Sequence, residues 1–592
     1  MRVEDGFQPI PYLEQNPYTT DLVISSLLRR LVPEQTLASF EPDLVRFGDE
    51  VITTIRETGA PHRVTAPELV QYDQWGKRID RLQTSQGWID LKAAAQREGI
   101  PAIFYERKYN EYSRLYGFAK AFLMVGYSHV VFCPLSMTDG AARIIELLGT
   151  PGMREHLLPR LVSRDTSFAF VSGQWMTERS GGSDVSQTET IAQPMGDNHV
   201  LGPRYLLHGF KWFSSATDSD ISMALARTGS LEEGSRGLSL FLIPLRRPLL
   251  RDPAKPTPSP TSNGIRVHRL KNKIGTHTLP TAELSLEETE GYLVGKLGQG
   301  VRSITPILNI TRVWSALGSV GALRRCLSIS TAFAEVRTID GGKTLLKNVP
   351  LHVAQLAKIS TTYRALAHLT FEVVRLLGKS ECNTASQAEK ARLRLLTPLV
   401  KAFCAELAVA SMEEAMTTLG GAGYMEENDM GRLIRDSLVE KIWEGTTTVL
   451  SLDLIRASRD PSTLQAYFEW AEAVVASCPP QFKDLPQLQL LVSGLNHLSS
   501  TYENPIPTLM PRPALMLMGY TTSSLLLLEH TIWSSTTMQP ERETDITVLC
   551  RWIEEGGLSS AIEDVKRVEK NSRNREIEDS AIVFGRAVNP KL

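Results

Sequence analysis

The stretch Met176-Thr-Glu-Arg-Ser-Gly-Gly-Ser-Asp184 combines hydroxyl side chains with a pair of glycines. It follows a strand-like run, Phe168-Ala-Phe-Val171. Its two adjacent glycines let backbone N–H groups approach a ligand closely. The hydroxyls of Thr177 and Ser183 can bond the polar edge of a ring or a phosphate. Taken alone, the stretch also fits an ordinary polar turn.

Two further motifs lie downstream. Gly209-Phe-Lys-Trp-Phe-Ser-Ser-Ala216 places aromatic rings beside hydroxyls, which suits stacking on an aromatic cofactor and bonding its edge. Leu419-Gly-Gly-Ala-Gly-Tyr424 follows a helical pattern and makes a turn whose backbone can face a phosphate or an adenosine. The first motif also fits a strand with core aromatics, and the second also fits a helix C-cap.

The fourth motif is Arg432-Leu-Ile-Arg-Asp-Ser-Leu-Val-Glu-Lys-Ile-Trp-Glu-Gly-Thr-Thr-Thr448. Within it, Glu444 stands between Trp443 and Gly445. A carboxylate beside an indole is partly desolvated, which favours a raised pKa and a stronger base. The alternative is a helix-capping or exposed glutamate.

Secondary-structure patterns divide the chain into a helical, a β, and two further helical segments. Helical periodicity dominates from Asp21 to about Ser167 and returns at about Val301. Between them, short apolar runs separated by Gly- and Pro-rich turns predict strands, and Asp252–Ser262 is a Pro-rich loop. The predicted strands are Phe168–Val171, Ser222–Ala226, Leu238–Ile243 and Ala282–Leu286. No Rossmann glycine fingerprint appears where that fold would need it.

Composition excludes several classes of protein. The 592 residues carry a net charge of −2, so no global field favours nucleic acid or an anionic membrane. The six cysteines form no Cys-x-x-Cys pair and are interpreted as reduced intracellular thiols. No secretion signal, membrane span or metal site is predicted.

Together the four motifs and the order of segments resemble the acyl-CoA dehydrogenase family, over roughly Thr65 to Arg456. Further stretches resemble its AidB-like branch: Pro67–Asp73, Cys133–Thr138, Arg269–Gly275 and Thr311–Ser319. The resemblance implies an α+β fold of the acyl-CoA dehydrogenase type. Its expected parts are an N-terminal helical domain (1–167), a middle β-domain (168–294), a C-terminal helical bundle (295–456) and an extra helical extension (457–592).

The resemblance also implies bound FAD and roles for residues around its ring. Thr177 and Ser215 would bond the flavin ring, beside which Phe213 would pack, and Met176 belongs to the same cofactor-binding motif. Glu444 would be the catalytic base. It would remove the α-proton of an acyl thioester while a hydride leaves the β-carbon for the flavin, giving a trans-2-enoyl thioester.

Other residues would contact the rest of the cofactor. Arg337 would meet the pyrophosphate of a neighbouring subunit's FAD, and Gly420 and Gly421 would meet its adenosine end. Thr446 and Thr448 would close on the cofactor. An FAD site shared across subunits implies a homo-oligomer, a tetramer in the family.

On the substrate side, Arg312 would lie near the pantetheine arm, and Ser183 near the flavin phosphates or the thioester arm. The sequence departs from the family pattern at Arg179, at Leu308-Asn309 and at Thr448. These differences argue against a standard fatty acyl-CoA substrate more strongly than they argue against bound FAD.

Several alternatives remain open at this point. They are an AidB-like nucleic-acid-associated flavoprotein, an acyl-CoA oxidase that uses O₂ in place of an electron-transfer flavoprotein, an acyl-CoA-sequestering protein, and a desaturase of a specialised metabolite. Residues 457–592 carry 12 Lys and Arg against 17 Asp and Glu, a net of −5, which disfavours nucleic acid. The final Pro590-Lys-Leu592 is close to a peroxisomal address, so a peroxisomal or a cytoplasmic location is expected.

Overall fold

The computed structural model describes residues 11–250, 261–502 and 505–585. Its contacts divide the chain into two compact units, which we call the mixed unit and the helical unit. The mixed unit contains Gln15–Thr20 and Glu41–Trp314, and the helical unit contains Asp21–Phe40 and the chain from Ser315 onward. Most of the predicted Pro-rich loop and the predicted Pro-Lys-Leu address lie outside the described residues.

The chain before the large sheet is helical apart from one hairpin. Its elements are α1 Leu22–Leu31, α2 Glu34–Glu50, which a π-helical turn (Val51–Ile55) joins to α3 Arg56–Thr58, β1 Glu68–Tyr72, β2 Arg78–Gln83, α4 Gln86–Arg97, α5 Ala102–Glu106, α6 Ser113–Met124, α7 Phe132–Leu148, α8 Pro151–His156 and α9 Leu158–Leu161. Residue patterning explains the helix starts, since Asp21, Ser85 and Thr150 each cap a following helix with a side-chain oxygen.

Strands dominate the rest of the mixed unit. They are β3 Ser172–Trp175, β4 Ile191–His199, β5 Gly202–Ser215, β6 Ile221–Arg227, β7 Leu238–Pro244, β8 Arg246–Arg247, β9 Thr261–Ser262, β10 Ile265–Leu270 and β11 Thr281–Val294. The large sheet has the order β10-β11-β5-β4-β6-β3, and β7 pairs with both β11 and β6. These pairings close β11, β5, β4, β6 and β7 into a ring.

Both faces of β6 and β7 are buried, which explains their continuous apolar sequences. Met223 and Leu225 pack in a cluster with side chains of α7 and the following helix, whereas Ala224 and Ala226 pack in a second cluster around Trp175. The predicted strands at 222–226, 238–243 and 282–286 are therefore confirmed.

The predicted strand Phe168–Val171 is wrong by four residues, because β3 begins at Ser172. The backbone N–H groups of Phe168 and Ala169 both donate to the carbonyl of Asp165, at 3.0 and 2.8 Å. This local turn consumes the donors that a strand would offer to a neighbour.

The remaining elements form helices with one short hairpin. They are α10 Gly300–Val336, β12 Thr338–Ile339, β13 Thr344–Leu345, α11 Pro350–Glu381, α12 Gln387–Thr417, α13 Met430–Ser437, α14 Thr447–Ser458, α15 Pro461–Ala476, α16 Pro480–Lys483, α17 Pro486–Thr501, α18 Pro511–Thr536, α19 Arg542–Glu555 and α20 Leu558–Phe584. The predicted fold class, helical then β then helical, is confirmed, and the predicted domain boundaries stay predictions.

Helix α12 lies at the centre of the helical unit, in contact with α11, α14, α15 and α18. It is long and apolar enough to cross a membrane by length and composition, but 78% of its apolar window is buried inside the protein. The core helix of a globular unit passes the same test, so α12 gives only weak support for a membrane span. At its contact with α18, a Cβ added to Gly519 would lie 2.2 Å from the ring of Phe403, so glycine is required there.

A buried histidine pair joins α11 to α18. The rings of His368 and His530 lie 4.5 Å apart, and His530 Nε2 lies 3.2 Å from Ser26 Oγ and 3.7 Å from Asp545. Burial, aided by nearby arginines, lowers the pKa of His530 to about 2. Burial, with smaller contributions from the neighbouring His530 and from nearby arginines, holds the pKa of His368 well below its usual range.

This pair makes stability depend on pH. Below about pH 6.5 the unfolded chain binds protons that the buried rings do not, so stability falls as the pH falls, by up to about 1.4 kcal/mol per pH unit for each ring. We expect the melting temperature of the wild type to drop more steeply from neutral pH to pH ~5 than that of His368→Gln. Equal slopes in thermal melts of the two proteins would refute this assignment.

Candidate active site

The Met176–Asp184 turn is fixed to strand β5 by its backbone. The carbonyl of Thr177 accepts a hydrogen bond from the N–H of Trp212, at 3.0 Å. Glu178 and Gly181 exchange two backbone hydrogen bonds of 3.2 Å, which closes a tight turn. Ser183 is exposed, and a Cβ added to Gly182 would lie 2.7 Å from Thr177 Oγ1. The turn therefore packs closely against the Thr177 side chain and leaves Ser183 exposed.

A buried ion pair between Lys211 and Glu178 supports the Met176–Asp184 turn. Lys211 Nζ lies 2.6 Å from Glu178 Oε1, and the two residues are 0% and 4% exposed. Glu178 also accepts from Thr190 Oγ1 at 2.5 Å, and Lys211 also donates to the carbonyl of Leu225 at 2.8 Å. Burial opposes ionisation of Glu178, but the charge and hydrogen bond of Lys211 prevail and hold the pKa of this carboxyl below its usual range. Both residues lie in predicted motifs, but the sequence does not reveal that they pair.

A bulge in β5 turns Phe213 away from the core. Lys211 pairs with Leu284 and Ser214 with Ala282, so two residues of β5 face one residue of β11. The extra residue breaks the inside–outside alternation. Lys211 consequently points inward, and Phe213 is 52% exposed.

The neighbourhood of Phe213 combines aromatic rings, hydroxyls and lysine ammonium groups. Lys271 Nζ lies 3.3 Å from the ring centroid of Trp212 and 4.7 Å from that of Phe213. Ser215 Oγ lies 3.0 Å from Thr281 Oγ1. Thus the mixed unit places the predicted ring contacts, Thr177, Phe213 and Ser215, on β5 and the turn bonded to it.

The remaining predicted residues of the mixed unit are placed separately. Met176 directly follows β3 and is half-buried. Arg312 lies on α10, half-buried.

In the helical unit, Glu444 lies in the short loop between α13 and α14. Its backbone has a φ of 57°, in the left-handed region, and Gly445 follows with a φ of 105°. A non-glycine residue in this region is strained and persists only where its surroundings hold it. Thr446 Oγ1 caps α14 by accepting from the N–H of Val449, at 3.3 Å.

Buried charges hold this loop on both sides. Lys401, which is 0% exposed, donates to the carbonyl of Gly445 at 2.5 Å. The indole Nε1–H of Trp443 donates to Glu440 Oε2, also at 2.5 Å. The loop that carries Glu444 is therefore fixed at the residues immediately before and after it. Sequence reasoning did not assign roles to Lys401 or Glu440.

Two hydroxyls follow Glu444 in different settings. Thr448 is exposed and its Oγ1 accepts from Arg512 at 3.3 Å. Thr447, which was not predicted, is buried and donates to Glu406 Oε1 at 2.7 Å. Thr446 thus caps α14 and Thr448 lies in its first turn, both close to Glu444 along the chain.

Gly420, Gly421 and Arg337 lie on other segments of the helical unit. The glycines begin a 3₁₀ turn, Gly420–Tyr424, directly after α12. A Cβ added to either glycine meets nothing within 4 Å, so open space adjoins both. Arg337 follows α10 at the start of the β12–β13 hairpin. The ring contacts thus belong to one unit and the base loop to the other.

Comparisons with known proteins agree with this architecture. Residues 7–166 match the adaptive response protein AidB N-terminal domain, residues 173–289 the acyl-CoA dehydrogenase middle domain, and residues 298–458 its C-terminal domain. A relative from Caenorhabditis elegans, "Acyl-CoA dehydrogenase family member 11", is 36% identical over 92% of this chain and 89% of its own length. "Putative acyl-CoA dehydrogenase AidB" of Escherichia coli is 29% identical over 76% of this chain and 79% of its own.

Solved structures give the same result. The crystal structure of Caenorhabditis elegans ACDH-11 in complex with C11-CoA covers 99% of this chain and 97% of its own, at 35% identity and a TM-score of 0.87. An acyl-CoA dehydrogenase complexed with FAD from Bacillus anthracis covers 98% of this chain and 96% of its own, with a TM-score of 0.67 at 16% identity, and shows the fold alone. The chain therefore belongs to the acyl-CoA dehydrogenase family, in its AidB-like branch, and is an oxidoreductase.

Proposed function

We propose that this protein catalyses the FAD-dependent α,β-dehydrogenation of a fatty acyl-CoA, with Glu444 as the base. The observation that carries the proposal is the conformation of Glu444. Its left-handed backbone is strained, and a buried lysine and a buried carboxylate hold the residues on either side of it. Strain retained at such a position is typical of active sites, because the surrounding structure must be built to maintain it.

The residues of the mixed unit fit a flavin ring. The half-exposed Phe213 offers an aromatic surface, and Thr177 and Ser215 offer hydroxyls that can bond the edge of the ring. The close approach of Gly182 to Thr177 leaves no space for a larger residue. In the helical unit, Arg337 and the open backbone at Gly420 and Gly421 would hold the pyrophosphate and adenosine ends of a neighbouring subunit's FAD. Bound FAD would supply the acceptor for the hydride that leaves the β-carbon.

The surroundings of Glu444 support its role as the base. The α-proton of a thioester is only weakly acidic, so its removal needs a base whose position is fixed and whose carboxylate is poorly solvated. Trp443 and Glu444 are both half-buried, and neighbouring Glu440 adds negative charge. Glu444 would take the α-proton. Thr446 would help to fix the position of the loop, because its side chain caps α14.

For the substrate, we infer a fatty acyl-CoA of medium chain length. The support is the Caenorhabditis elegans relative, whose structure was solved with C11-CoA. Arg312 and Ser183 would contact the pantetheine arm. The −5 charge of residues 457–592 argues against nucleic acid as an alternative ligand.

An anaerobic absorbance titration with saturated acyl-CoA thioesters of increasing length tests this function. We expect the band of the oxidised flavin to bleach in a chain-length-dependent manner, with eleven-carbon acyl-CoA among the effective substrates. A thioether analogue of the same length, which lacks the acidifying carbonyl, serves as the control and should bind without bleaching. Full flavin content with no bleaching by any thioester would refute dehydrogenation and indicate a binding role.

We also propose that the protein works as a homo-oligomer, a tetramer as the family resemblance implies. The turn beside Gly420 and Gly421 supports this, because Tyr424 is 87% and Met425 53% exposed. Large apolar side chains of this kind favour an intersubunit contact. Light scattering on the purified holoprotein tests the assembly, and a monomer would contradict it.

We propose an electron acceptor and a cellular location together, because the choice of acceptor bears on the location. An electron-transfer flavoprotein or O₂ would reoxidise the enzyme, and O₂ would suit a peroxisomal rather than a cytoplasmic location. Stoichiometric peroxide formation during aerobic turnover would indicate O₂, whereas turnover that requires an added electron-transfer protein would indicate the first acceptor.

A further inference from the structure

Glu440 is a second buried carboxylate, four residues before the proposed base. It is 8% exposed and lies at the end of the 3₁₀ turn Leu438–Lys441. Two donors converge on its Oε2 atom, Ser315 Oγ and Trp443 Nε1, each at 2.5 Å. The carboxylate thus connects α10 to the loop that carries Glu444.

Helix α10 is shaped to receive this carboxylate. One turn of the helix supplies the Ser315 hydroxyl, and the same face carries Gly318, where an added Cβ would lie 3.1 Å from Glu440 Oε1. A larger residue at 318 would crowd the carboxylate. The helix therefore offers both a donor and the space that a buried carboxylate needs, which a purely apolar contact would not require.

We propose that Glu440 is a positioning residue for Glu444: it fixes the Trp443 indole, and with it the left-handed Glu444, and its negative charge strengthens Glu444 as a base. The inference rests on the proposed function of Glu444 and extends it to a residue that does not touch the substrate. The hydrogen bond from Trp443 is the direct link, since Trp443 and Glu444 are consecutive in the chain.

The charges around Glu440 come from three segments. Lys401 faces it from α12, Glu444 faces it from its own loop, and α10 donates the hydroxyl of Ser315. Burial, with a smaller contribution from the charge of Glu444, raises the pKa of Glu440 to about 7, although the hydrogen bonds from Ser315 and Trp443 and the charge of Lys401 lower it. Because such coupling is reciprocal, loss of the Glu440 proton near neutral pH makes Glu444 more basic.

The experiment compares the pH dependence of flavin reduction by an acyl-CoA in the wild type and in Glu440→Gln. The amide oxygen of Gln still accepts from Ser315 and Trp443 but carries no charge. We expect the wild-type kcat/KM to rise through an inflection near pH 7 that Glu440→Gln lacks. The two rates should agree below this inflection, and the wild-type rate should be the higher one above it, where only the wild type carries the Glu440 charge.

A second variant separates charge from position. Trp443→Phe removes the indole donor and keeps the Glu440 charge, so it should retain the inflection while kcat falls and KM stays near the wild-type value. A wild-type profile in Glu440→Gln, or a wild-type kcat in Trp443→Phe, would overturn the inference while the wild type remains active. Failure of the proposed function is distinguishable, because the wild type itself would then leave the flavin oxidised with every thioester.

Discussion

Glu444→Gln is expected to bind FAD as the wild type does and to lose substrate-dependent flavin reduction. The amide has the shape of the carboxylate but cannot accept the α-proton, and general-base catalysis contributes about 10²- to 10⁴-fold. Rapid mixing with an acyl-CoA under anaerobic conditions should show a fall in the reduction rate of this size. The flavin content and the dissociation constant of the thioester should change little, because the loop contacts at Trp443 and Gly445 remain.

Glu472→Gln is the matched control for this change. Glu472 is an exposed glutamate on α15, so its replacement alters the net charge equally without touching the base loop. Its reduction rate should equal that of the wild type. A wild-type rate in Glu444→Gln would remove Glu444 from the mechanism.

The second large effect is expected from Lys211→Met, which breaks the buried ion pair between Lys211 and Glu178 in the Met176–Asp184 turn. The variant leaves the Glu178 carboxylate buried without its cation, a change that costs about 3–5 kcal/mol of unfolding free energy. The turn at Thr177 should loosen, so the purified protein should also contain less flavin. Chemical denaturation and the flavin-to-protein absorbance ratio measure the two effects.

Two further variants serve as controls for Lys211→Met. Lys211→Met combined with Glu178→Gln removes both charges and should recover part of the lost stability. Arg266→Met breaks an exposed pair with Glu287, whose side chains are 53% and 45% exposed, and should cost less than about 1 kcal/mol. A Lys211→Met protein as stable as Arg266→Met would show that the buried pair does not support the turn.

Much of this fold follows from local patterns in the sequence. The spacing of apolar residues predicts helix α1 and the long helices α10 to α12, and the continuous apolar runs predict β6 and β7. Where prediction fails at Phe168–Val171, the cause is a turn whose hydrogen bonds to Asp165 no pattern of apolar residues reveals. The hairpin β1–β2 likewise lies within a segment that is helical on average.

The candidate site is less visible in the sequence than the fold. The motifs contain Thr177, Phe213, Ser215 and Glu444, and their roles come from the resemblance to the family. The supporting residues depend on long-range contacts: Lys211 meets Glu178 across 33 residues, and Lys401 meets Gly445 across 44. The bulge that exposes Phe213 depends on the register between β5 and β11, which one sequence does not show.

The most direct test of the central claim is analysis of the product. The holoprotein is mixed anaerobically with an equimolar amount of the saturated eleven-carbon acyl-CoA and quenched, and the thioester is examined by mass spectrometry and chromatography. We predict a trans-2-enoyl-CoA that has lost two hydrogen atoms, formed in proportion to the bound flavin and absent with Glu444→Gln. Recovery of the unchanged thioester from a fully flavin-loaded wild-type protein would contradict the account.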